Sequence, residues 1–259
     1  MKTIYLFLVT LFFSLGTAAA SADPEDLEQT SFNLLLDVRH ILLDYYHLQA
    51  DETNHTVLKQ LTQSKQQTAD KTLAFAASLP DAYVTHKNDL TKHWQSFNEL
   101  MQGNIDELVN SGYPEGQLVL MMRDAGKAVE ADLITLNQLI REQHEIRLPE
   151  KVSALRQQRL ALLDTIELYG EYSATSTGVP IRSGRPDIGE YCAQFETSLQ
   201  HLESLQWSPE SQQVLRSIRS KWTFIDRTVK NHSQGVVPFL VMRYTDIIMT
   251  NLDKAQASL

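Results

Sequence analysis

Apolar residues in this chain recur at steps of three and four, and that spacing confines it to helices. From Lys151 the sequence reads KVSALRQQRLALLDTIELYGEY, with Val152, Leu155, Arg159, Leu162, Ile166 and Tyr169 on one stripe. Ile188, Tyr191, Phe195, Leu199, Leu202 and Leu205 repeat the pattern, as do Leu215, Ile218, Trp222, Ile225 and Val229. A period of 3.6 residues puts each set on a single helix face. Ser208 followed by Pro209 is a helix start, a hydroxyl cap with proline in the first turn. No hairpin signal interrupts the series, and the weakest stripe lies over 53–79, where QSKQQTAD breaks the apolar run. The fold expected is all-α, with eight helices.

The helices fall into two sets of four that resemble each other. RHILLDYYHL from Arg39 matches RLALLDTIEL from Arg159, an offset of 120. Met122-Arg123 matches Met242-Arg243 at the same offset, while Trp94 and Trp222 stand 128 apart. A longer loop in the second half, SATSTGVPIRSGRPD, accounts for that difference, and NSGYPEGQ in the first half restores the register. The expectation is two tandem four-helix bundles from an internal duplication, over 23–147 and 148–259. A nearly continuous helix around Glu142–Lys151 would join them, with Pro149 marking a break.

Residues 1–22 read as a signal peptide. Lys2 gives a positive start, IYLFLVTLFFSL is the apolar stretch, and Ala20-Ser21-Ala22 fits a small-residue cleavage site. The run is shorter than the roughly 20 residues of a membrane span, so no span is expected after its removal. The expected protein is exported and periplasmic, cleaved near Ala22. The formal charge is −9 and loses one further positive charge with Lys2. Without a basic run or basic helix, nucleic acid and anionic membrane surfaces are poor partners. Cys192 is the only cysteine, so no internal disulfide staples the fold.

The first helix of each half resembles the periplasmic sensing module of type IV pilus methyl-accepting chemotaxis transducers. The same module occurs in nitrate/nitrite sensor kinases. That family's motif runs approximately Asn-Leu-Ala-Gly-x-x-Arg-Met-Leu. Asn33, Leu34, Leu35 and Arg39 match it in the first copy, with Leu36 in place of the glycine. In the second copy Arg159 and its apolar neighbours match, with Ser153 at the asparagine position. The tryptophan helices and VMRYTDIIMTNLDKA also resemble the family's later helices.

Two readings of the seam arginines follow. Arg39 and Arg159 occupy equivalent core-directed positions, and a buried guanidinium requires a partner. An internal carboxylate would satisfy it, or the head could snorkel to water. The resemblance implies the other reading, in which Arg39 and Arg159 flank one pseudo-twofold site for a small planar anion. Arg123 and Arg243 stand beside Asp124 and close to Asp246, and surface pairing is expected of them.

Other signals are weaker. Asp37, His40, Asp44, His47 and Asp51 form a stripe that points away from the Leu35/Val38/Leu42 face and reads as solvated. His86, Asp89 and His93 form a second such stripe. No Cys-x-x-Cys-His or His-Glu-x-x-His pattern is present, nor the pair of Glu-x-x-His motifs expected of di-iron bundles, nor a glycine-rich phosphate loop. Cys192 lies next to a core residue with no base nearby, and Trp94 and Trp222 read as core anchors. Neither enzyme chemistry, nor a metal, nor a cofactor is expected. The leading expectation is a helical sensory or ligand-binding protein that recognises a small ligand, an anion among the candidates, and relays it to a separate partner. The alternative is a non-enzymatic adaptor or structural protein of the cell envelope, with no small ligand.

Overall fold

In the computed structural model, residues 23–174 and 187–259 are described. The leader and most of the loop SATSTGVPIRSGRPD lie outside them. Among the described residues every regular element is helical: α1 (Pro24–Ala50), α2 (His55–Ser78), α3 (Val84–Ser111), α4 (Gly116–Gln143), α5 (Glu150–Ala174), α6 (Ile188–Ser204), α7 (Pro209–Lys230) and α8 (Pro238–Ala257). Single 3₁₀ turns at Asp81–Tyr83 and His232–Gln234 precede α3 and α8. The fold is all-α.

Local chemistry sets the helix ends. Asp23 accepts from the Glu25 amide at 3.1 Å, Asn54 from Val57 at 3.2 Å and Ser208 from Ser211 at 3.2 Å. Each satisfies an amide that the first turn leaves without an intrahelical acceptor. Gly112 closes α3 with a left-handed φ of 76°, a conformation glycine adopts without a Cβ clash. Between Gln143 and Glu150 the chain breaks where Pro149 predicts, with Glu145 at a φ of 52°. The weak stripe over 53–79 does form a helix. Its buried face is thin, and Thr68 and Thr72 hold it between Leu61 and Phe75.

Each set of four closes into a ring. In the first, α1 packs on α2 and α4, and α3 on α2 and α4; in the second, α5 packs on α6 and α8, and α7 on α6 and α8. The rings meet where α1 lies along α5, with α8 also touching α1. Glu28 pairs with Arg156, Arg39 with Asp164, and Gly170 abuts Tyr46, so α1 and α5 run parallel. Arg39 bonds Glu130, and Glu28 accepts from Asn137, so α4 runs antiparallel to both. Trp94 meets Phe97 edge-on at 5.7 Å in the first ring, and Trp222 lies 4.1 Å from Phe195 in the second.

This placement explains the composition of α1 and α5. Each faces its own ring on one side and the other ring on the next, so polar residues beside the seam become buried as well. Glu28, Arg39, Gln49, Arg156, Gln158, Arg159, Glu167 and Glu171 are all buried. A helix that faces one ring alone, such as α7, buries its stripe of Leu215, Ile218, Trp222, Ile225 and Val229 and, besides these, only Ser211 in its first turn.

Candidate functional site

Arg39 and Arg159 are both buried, and both are already engaged. Arg39 donates from Nε to Glu130 at 2.9 Å and from a terminal nitrogen to Asp164 at 2.5 Å. Arg159 donates to Asp253 at 2.8 Å and to Gln256 at 2.5 Å, both on α8. Their partners differ: Arg39 ties α1 to α4 and α5, whereas Arg159 ties α5 to α8. Their electrostatics also differ. Burial pulls the Arg39 guanidinium down, but the charges of Glu130, Asp164 and Glu167 outweigh it and its pKa ends above the ordinary value. At Arg159 burial wins, and the pKa falls despite Asp253. The Asp253 side chain is 71% exposed, so water screens that pair.

Around Arg39 the seam between the rings is a network of charges. Lys127 donates to Glu130 at 3.0 Å and to Glu167 at 2.7 Å. Burial, offset in part by Arg39 and Lys127, raises the Glu130 carboxyl above the usual range. Arg123 pairs with Glu171 across α4 and α5. This corrects the expectation of surface pairing for Arg123: the side chain is 5% exposed because that face of α4 lies against α5. Arg156, which the seam pattern does not single out, grips Glu28 at 2.5 and 2.8 Å and Gln29 at 2.7 Å, its guanidinium 4.3 Å from the Phe32 ring. The available signal was its spacing of three from Arg159, which places both on one flank of α5.

Beside this network lies an open-sided groove of about 1120 Å³ between the rings. Phe32 and Leu35 of α1 with Leu160 and Ala161 of α5 form an apolar floor. One wall is α4, through Leu133, Ile134, Asn137 and Arg141; the other is α6, through Ala193, Thr197 and His201. Ile146 and Leu148, in the link between the rings, close one end. Ile134 is 47% exposed on this wall, an apolar residue only about half covered by protein. The combination of an apolar floor with a few polar groups is that of a small-molecule pocket, and the volume is at the upper end of the usual range.

The acidic stripe of α1 is not a solvated face throughout. Asp37 pairs with Lys71 at 2.7 Å, and His40 Nδ1 lies 2.8 Å from the Leu36 carbonyl oxygen. Asp44 and His47 are half-buried because α8 packs beside them, with the Phe239 ring 6.1 Å from His47. Burial, and then the charge of Asp246, pushes the Asp44 carboxyl up to about 7. His93 of the second stripe meets Asp132 at 2.7 Å. Among the described residues no three histidine, cysteine, aspartate or glutamate side chains group as metal ligands. Cys192 is fully buried, and burial pushes its thiol up to about 12, away from the reactive thiolate. No helix among the described residues is long and apolar enough to cross a membrane. Comparison of the chain with family models, with curated proteins and with solved structures gave no match.

Proposed function

We propose that this is a non-enzymatic binding protein, exported to the periplasm, whose ligand lies in the groove between the two rings. The observation that carries the reading is the groove itself: an apolar floor shared by α1 and α5, open to water, with Ile134 half-exposed at its edge. A ligand there touches both rings at once. Occupancy would bias how they pack, and a separate partner could read that change as a signal. The resemblance of the Asn33–Arg39 segment to periplasmic sensing modules supports the same class of function. The site differs from the one that resemblance implies, since Arg39 and Arg159 spend their donors on acids and an amide within the protein. We attribute to Arg39 the task of holding the rings together and to Arg159 that of tying α5 to α8 within the second ring.

One observation favours the adaptor reading: Arg39 and Arg159 are engaged by protein groups, so neither is free for a small anion. The two readings separate in a titration of the purified chain with Nile red, a neutral fluorophore that brightens in apolar surroundings. Groove binding predicts saturable enhancement that Ala161→Phe and Ala193→Trp each weaken about tenfold or more, with thermal unfolding unchanged in at least one variant. Ala193 is exposed on α6, so its replacement fills the groove without touching the core. Absence of saturable binding in the unmodified chain would leave the adaptor as the function.

A further inference from the structure

The groove has a direction. Because α4 runs antiparallel to α1 and α5, Arg141 near its end stands level with the start of α5. Lys151 lies 5.1 Å from the Trp207 ring, so the end of α6 also meets the start of α5. Arg141, Arg156 and His201 therefore gather at one end of the groove, with Ser153 of the first turn of α5 beside them. Leu35, Leu133, Ala161 and Ala193 occupy the other end, where Asp164 is held by Arg39.

The cations at the first end are not equally committed. Both terminal nitrogens of Arg156 are held by Glu28, although its Nε, like that of Arg141, is enclosed without a hydrogen-bond partner. Arg141 takes part in none of the ion pairs described above, and its Nε is enclosed without a hydrogen-bond partner. An enclosed donor of this kind lacks its compensating acceptor until something supplies one. The adjacent carboxylate, Glu142, lines the same end of the groove and accepts from Gln138 at 2.7 Å. From Leu133 to Glu142 the α4 wall is about 14 Å long at the helical rise, room for an extended alkyl chain.

Resting on the groove reading above, the geometry points to a single-chain fatty-acid carboxylate as the ligand, its head on Arg141 and its chain along the apolar floor. The guanidinium fork matches the two carboxylate oxygens. Arg156 backs the same end, its guanidinium against the Phe32 ring. The chain would cover Phe32, Leu35 and Leu160 and bring Ile134 out of water.

The test is displacement of Nile red from the full chain by amphiphiles of one chain length, below their micelle-forming concentrations. Dodecanoate, dodecyltrimethylammonium and dodecyl maltoside differ only in the head. Dodecanoate should displace the dye at about a tenfold lower concentration than either of the others, the equivalent of one charge-assisted contact. Arg141→Gln, with each displacement scored against the variant's own Nile red affinity, should lose most of that preference. Equal displacement by all three heads, or an anionic preference that survives Arg141→Gln undiminished, overturns the carboxylate assignment while the groove reading stands. Failure of Nile red itself to bind overturns the groove reading, and this assignment with it.

Discussion

At the scale of single residues, burial decides which charged groups are tied down and which are poised. Asp44 is the clearest case. In the folded chain its carboxyl holds a proton up to about pH 7, whereas the ordinary value is 3.8. The folded state therefore binds more protons than the unfolded chain between those limits, and stability must fall as pH rises through that window. Asp44→Asn removes the effect. Denaturant titrations should show the variant more stable than the parent at pH 8 by about 2 kcal/mol, allowing for the partial exposure of the site, with the difference vanishing near pH 4. Parallel stability curves for the two proteins would sink this account. The sequence placed Asp44 on a stripe facing away from the α1 core, and the helical period makes that correct for one ring. That α8 of the other ring would cover the stripe is not encoded in α1. Arg123 is misread for the same reason: its neighbour Asp124 is visible in the sequence, while Glu171 becomes its partner only when α5 docks.

At the scale of elements, the parallel contact of α1 with α5 depends on a missing side chain. A Cβ at Gly170 would lie 2.6 Å from Tyr46 Cδ2 and 3.1 Å from its Cγ. Tyr46 is 1% exposed, so its ring cannot swing into solvent. Alanine in a helix interior is worth about 1 kcal/mol over glycine, but forced overpacking costs about 1–3 kcal/mol. Gly170→Ala should therefore be destabilising on balance. Gly126, on α4, is the internal control: its Cβ would meet Leu42 Cδ1 and Phe97 Cε2 at 3.2 Å, atoms at the ends of their side chains. Gly126→Ala should stay within about 1 kcal/mol of the parent, and the ranking of denaturation midpoints checks both. If Gly170→Ala proved the more stable of the two, the close approach would be wrong. Helix identity at this scale was legible because three-four spacing requires no knowledge of neighbours. The groove was not, since it exists because α4 and α6 stand apart over the floor that α1 and α5 make.

At the scale of the whole molecule, the two rings share a charged seam as well as an apolar one. Breaking a buried pair by stranding one charge costs about 3–5 kcal/mol, and two buried pairs, Arg156–Glu28 and Arg123–Glu171, cross between rings beside the partly exposed and more screened Arg39–Asp164. That is comparable to the total stability of an ordinary domain. The rings should therefore unfold together. Trp94 reports on the first ring, Trp207 and Trp222 on the second, so Trp94→Phe and the double replacement Trp207→Phe, Trp222→Phe each leave one ring visible. In each variant the fluorescence and far-ultraviolet dichroism transitions should coincide. A fluorescence midpoint separated from the dichroism midpoint would show rings that melt independently.

The parallel pairing of α1 with α5 has a consequence for the order in which the chain is made. A polypeptide emerging from its amino end completes α1 to α4 before any of α5 exists. Glu28 and Arg123 then have no charged partner across the seam, and the flank of Tyr46 stands open where Gly170 will later press. The first half must wait for the second, and any helper that delays compaction has its longest-lived target on that uncovered flank of α1.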